Sequence, residues 1–85
     1  MLISALMLSC KVYVYNKKLI IVYGGRYHNY LKYGGVKVDE HNTFKSFSPI
    51  YLSCTLNDGT HIAATISLSK RISLKINDKL YTRTF

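Results

Sequence analysis

Eighty-five residues leave room for one domain spanning 1–85, with a thin core that buries only about 60–65% of the unfolded surface. Twelve Lys and Arg against four Asp and Glu give a net charge of +8, a field that attracts phosphates, anionic lipid heads and acidic protein surfaces. A hydrophobic content of 48% excludes a disordered chain, and two cysteines without CxxC spacing exclude a disulfide-dense scaffold or a zinc knuckle.

The opening ten residues, MLISALMLSC, are apolar and uncharged. They lack the basic flank of a secretory signal and are too short to cross a bilayer, so they read as a first strand. No integral membrane segment is expected, and the cytoplasm is the expected compartment, with an exported or membrane-proximal form as the alternative. Helical i, i+3, i+4 stripes are absent from the rest of the chain, whereas alternating β-branched and aromatic runs meet at Asn- or Gly-led loops. Each loop length can be chosen by the register that gives a strand pair one consistent apolar face.

The first such pair runs from Lys11 to Tyr23. A loop of Asn16-Lys17-Lys18 pairs Val14 with Ile20 and Val12 with Val22 on an inward face. Lys11, Tyr13, Tyr15 and Tyr23 then share the other face with Leu19 and Ile21. A shorter pair, Leu31–Tyr33 with Val36–Val38, turns at Gly34-Gly35 and sets Lys32 against Lys37. The stretch from Asp39 to Pro49 carries no strand pattern and reads as a loop tethered by Phe44 and Phe47.

In the second half, Ile50–Leu56 and Thr60–Leu68 flank the loop Asn57-Asp58-Gly59. That choice pairs Cys54 with Ile62, Leu52 with Ala64 and Ile50 with Ile66, with Gly59 in the left-handed position. At the last hairpin, Asn77-Asp78-Lys79 as the loop sets Ile76 opposite Leu80 and Leu74 opposite Thr82. Lys75, Ser73, Arg83 and Tyr81 then point outward. The result is an all-β meander of hairpins, either a small barrel or a two-layer sandwich, with Cys10 and Cys54 inward as free thiols or, in an exported protein, as a sheet-to-sheet disulfide.

No catalytic or cofactor signature stands out. One Glu and three Asp leave little for paired-carboxylate chemistry, and both cysteines fall on apolar faces. The glycine pairs in Tyr23-Gly24-Gly25 and Tyr33-Gly34-Gly35 read as turns, since no GK[ST] follows either. Histidines at 28, 41 and 61 lack ligand spacing, so neither metal nor cofactor is expected.

Six of the eight tyrosines fall between Tyr13 and Tyr33, interleaved with basic residues. Bases stack on aromatic rings while cations hold the phosphates, and sheet surfaces that bind single strands combine the two. The expectation is a non-enzymatic module that engages nucleic acid or an anionic nucleotide. Its candidate residues are Lys11, Tyr13, Tyr15, Lys17, Lys18, Arg26, Tyr27 and Lys32. Two other classes fit the same charge. One is a protein–protein inhibitor or accessory factor of the phage or virus type, meeting an acidic partner protein, and a homo-oligomer is a separate partner expectation. The other is a metal-independent, ribonuclease-like toxin using His28.

Overall fold

The computed structural model describes residues 9–25, 28–42, 49–67, 69 and 71–85. Among the described residues eight strands follow one another without a crossover: β1 (Ser9–Tyr15), β2 (Lys18–Gly24), β3 (His28–Tyr33), β4 (Val36–Asn42), β5 (Ile50–Thr55), β6 (His61–Ile66), β7 (Ile72–Ile76) and β8 (Lys79–Leu80). They form two antiparallel four-stranded sheets, β1-β2-β3-β4 and β5-β6-β7-β8. The fold is all-β, as the alternation predicts, and the meander folds as two layers, not as a closed barrel. Among the described residues no helix is long and apolar enough to cross a membrane.

The central hairpin has the register that its alternation dictates. Ile50 pairs with Ile66, Leu52 with Ala64 and Cys54 with Ile62. Gly59 closes the loop at φ +92, in the left-handed region that an L side chain resists. Among the described residues nothing lies within 4 Å of where its Cβ would stand. The cost of Gly59→Ala is therefore backbone strain alone, and a loss of about 1–2 kcal/mol is expected in chemical denaturation.

Two other hairpins are each one residue shorter in the loop than the alternation suggests. Asn16 and Lys17 sit at φ 53 and 62, and Asn77 and Asp78 at φ 53 and 66. These are two-residue turns with both positions left-handed, whose twist matches that of the flanking strands. A one-residue slip moves every side chain of a strand to the other face. Tyr13 therefore pairs with Ile20, and Val12 with Ile21. Tyr13 lies in the core at 2% exposure, while Val12 and Val14 face outward half-buried. At β7–β8 the pairs are Ile76 with Lys79 and Lys75 with Leu80. Leu80, expected inward, is 66% exposed, and Tyr81, expected outward, packs against the core. Lys75 and Arg83 are exposed as expected.

Other expectations need smaller corrections. The Gly34-Gly35 turn forms, with both φ values positive, and Lys32 pairs with Lys37. The strand after it continues to Asn42, so Asp39–Asn42 is strand rather than loop. A bulge between Leu31 and Lys32 shifts the register there. Gly24 is not a turn residue; it ends β2, where a Cβ would come within 3.1 Å of the Ile66 side chain, so it serves close packing. Cys10 is exposed, because the β1 slip turns it outward, and Cys54 is half-buried; both are free. Residues 1–8, Arg26, Tyr27, Phe44, Phe47 and Leu68 lie outside the described residues.

The core lies between the sheets. Tyr13, Ile20, Val22 and Leu31 from the first layer meet Leu52, Ile62, Ile66 and Leu74 from the second. Burying each aliphatic side chain contributes about 1.5–3 kcal/mol. The layers are also laced at both edges. Beyond β8 the chain pairs with β1: the Val14 N–H donates to the Arg83 carbonyl and the Phe85 N–H to the Val12 carbonyl, each at 3.0 Å. The Tyr81 hydroxyl donates to the Val14 carbonyl beside them. On the other side, the Ser53 N–H of β5 donates to Asp39 Oδ2 at 2.8 Å. These contacts satisfy edge groups that would otherwise invite strand addition.

Candidate functional site

The outer face of the first sheet is built in rows across its strands. One row runs Cys10, Tyr23, Tyr30 and Glu40; the next runs Val12, Ile21, Lys32 and Lys37. Alternation along β2 sends Ile20 and Val22 into the core and leaves Leu19, Ile21 and Tyr23 on this face. Cross-strand pairing then sets Tyr23 against Tyr30, and their rings stack with centroids 4.9 Å apart and planes 19° from parallel.

Two ammonium groups converge on that stack. Lys32 Nζ is 5.4 Å and Lys37 Nζ 5.5 Å from the Tyr30 ring centroid. The two lysines are direct cross-strand partners, an arrangement in which like charges repel. Part of the repulsion is offset, since Lys37 Nζ lies 3.5 Å from Glu40 Oε2, the one ion pair among the described residues. The same carboxylate accepts from Asn42 Nδ2 at 2.9 Å, and Asn42 Oδ1 is 3.2 Å from His28 Nδ1. The Asn42 hydrogen bond, followed by the Lys37 charge, holds the Glu40 carboxyl below its ordinary value. A lowered carboxyl makes its contribution above its unfolded value and loses it as pH falls through the folded one. Acidification should therefore release Lys37, and a side-chain NMR titration of Glu40 should show a midpoint below that of a free glutamate.

Of the eight residues expected to form one binding face, the six that are described do not converge. Lys32 lies on the outer platform. Lys11, Tyr13 and Tyr15 lie on the inward face, because the β1 slip carries all of its odd-numbered residues there, and Lys18 at the start of β2 pairs with Tyr15 on the same side. Tyr13 is core, and burial pushes its hydroxyl above the usual value. Tyr15 meets the Tyr81 ring edge-on at 5.7 Å. Lys11 keeps its ammonium 6.0 Å from the Tyr13 ring at the margin of the layer. Lys17 is exposed on its turn, and Lys18 reaches over Tyr33 at 5.4 Å. Arg26 and Tyr27 lie outside the described residues, on the connection between β2 and β3.

The platform residues that sequence reasoning left out are Tyr23, Tyr30 and Lys37. A signal for them existed. The alternation of β2 already sends Tyr23 outward, and pairing Lys32 with Lys37 places both beside Tyr30, two residues along β3 on the same face. An apolar strip adjoins the platform: Val12, Val14, Leu19 and Ile21, with Phe85 beside Val12 and 84% exposed. Among the described residues no group of three His, Cys, Asp or Glu is placed to hold a metal ion. Comparison with known protein families, with curated proteins and with solved structures finds no match to this chain.

Proposed function

We propose that this protein is a non-enzymatic binding module that takes single-stranded nucleic acid on the outer face of its first sheet. The observation that carries the reading is the stacked Tyr23–Tyr30 pair with Lys32 and Lys37 both drawn to the Tyr30 ring. Like charges set opposite each other cost stability unless an anion meets them, and a phosphate backbone supplies one. Bases then extend the tyrosine stack, while the net charge of +8 accelerates encounter.

Binding of a fluorescent single-stranded oligonucleotide should weaken steeply as salt rises. Two lysine–phosphate contacts predict a slope of log K against log salt of roughly −1.4, steeper where further cations join. Lys32→Ala together with Lys37→Ala should flatten that slope and weaken binding across sequences alike. Tight binding unchanged between low and high salt would sink the proposal.

A protein partner with an acidic surface is the second reading, and the apolar strip beside the platform favours it. A capture that survives nuclease treatment and returns one acidic protein would replace the first reading with this one.

A further inference from the structure

We infer that the open cleft at the turn end of the sandwich is a second binding site, one for a small amphipathic monoanion. The cleft, of about 490 Å³, lies between the sheets where the β1–β2 turn, the β3–β4 turn and the β5–β6 loop come together. That volume falls within the range of small-molecule sites. It is remote in chemistry and in face from the tyrosine platform, and the inference does not depend on the nucleic-acid reading.

The walls give the ligand its class. Val38, Cys54, Leu56 and Tyr33 pack against the core from one side and line the cleft on the other, so its floor is the unsealed end of the hydrophobic interior. Val36 extends this apolar wall to the rim and is 62% exposed. Water against such a surface is displaced favourably by an apolar body. The first sheet contributes one cation, Lys18, whose ammonium is held 5.4 Å from the Tyr33 ring and meets no carboxylate within ion-pair distance among the described residues.

The opposite wall sets the direction of binding. Asp58 lines the cleft from the second sheet, and its Oδ1 accepts the Thr60 N–H at 2.9 Å. That backbone hydrogen bond lowers its carboxyl, which therefore stays ionised and repels an anion from its side. The anionic end of the ligand goes to Lys18 and the apolar body lies along Val36, Val38 and Leu56. Gly34 keeps this mouth clear. It turns at φ +60, and a Cβ there would come within 3.2 Å of Lys18 Cδ.

The test uses two probes, anilinonaphthalene sulfonate and octanoate, with the whole chain carrying Cys10→Ser so that Cys54 is the remaining thiol. The sulfonate should bind saturably at one site per chain and be displaced by octanoate. Saturation should slow alkylation of Cys54. Lys18→Met should weaken binding about ten-fold, the order expected for one lost contact to a charged group. Val36→Glu, on an exposed rim position that leaves the core untouched, should weaken it as well. Asp58→Asn keeps the acceptor for Thr60 and should tighten it several-fold; weakening instead would mean that a ligand ammonium is being held there and would overturn the monoanion assignment. The inference also fails if Lys18→Met binds as tightly as the parent, if Cys54 stays unprotected, or if Tyr30→Ala abolishes the signal. The last result would place the probe on the outer face.

Discussion

Replacing Tyr13 by alanine is expected to cost about 3–5 kcal/mol, the upper range for truncating one buried side chain. Tyr13 is 2% exposed and sits where both layers and the C-terminal segment meet. Its ring lies 6.3 Å from that of Tyr81, whose hydroxyl in turn holds the Val14 carbonyl. Truncation leaves a cavity beside its cross-strand partner Ile20 in the core and loosens Tyr81 at the same time. Stabilities of small domains are about 5–15 kcal/mol in total, so the variant should be largely unfolded at 37 °C. Tyr13→Phe keeps the ring volume and should cost no more than about 1 kcal/mol. Circular dichroism melts and denaturant midpoints of the two variants decide the point. A parent-like Tyr13→Ala would mean that Tyr13 faces solvent and that the three-residue loop, with Val12 and Val14 inward, is the true register.

That comparison also marks the boundary of what the residues reveal by themselves. The β5–β6 register is legible because both strands alternate cleanly and Gly59 can take the left-handed position that only one loop length requires. The β1–β2 register is not, because both of its faces are apolar. Val12 and Val14 compete with Tyr13 and Tyr15, and alternation alone favours the aliphatics. What decides it is non-local: the aromatic cluster of Tyr13, Tyr15 and Tyr81, which are joined only after sixty-odd intervening residues have folded. Turn chemistry added to the difficulty. Lys17 at φ 62 and Asp78 at φ 66 accept a conformation usually left to glycine or asparagine, so neither turn announces its two-residue length.

The candidate site inherits that ambiguity. Tyrosine and lysine between residues 13 and 33 are visible as a composition, but which of them share a face depends on the β1 slip. Lys32 stayed on the platform because β3 is fixed independently, by the Gly34-Gly35 turn and by Leu31 in the core. The open cleft had no sequence signature at all. Its lining comes from three turns and the strand ends beside them, far apart in the chain.

The second large effect concerns function. Tyr23→Ala combined with Tyr30→Ala is expected to reduce single-strand affinity by at least about 30-fold, since stacking contributes roughly 1–3 kcal/mol per base and two rings are removed. Neither ring is part of the buried core, so the fold should tolerate the change with a modest shift in melting temperature. Each single variant should lose more than half of the double variant's free energy, because the rings stack on each other at 4.9 Å and removing one leaves its neighbour unsupported. The salt slope should be retained in the double variant, in contrast to the lysine pair, since rings contribute no counterion release. A double variant with parent affinity but an unchanged slope would leave charge as the whole of the interaction and remove the tyrosine platform from it. Loss of affinity with a flattened slope would show that the rings act only by holding Lys32 and Lys37 in place. Retained slope with lost affinity is the signature of bases stacked on the sheet, and it separates a nucleic-acid surface from one that merely attracts any acidic partner.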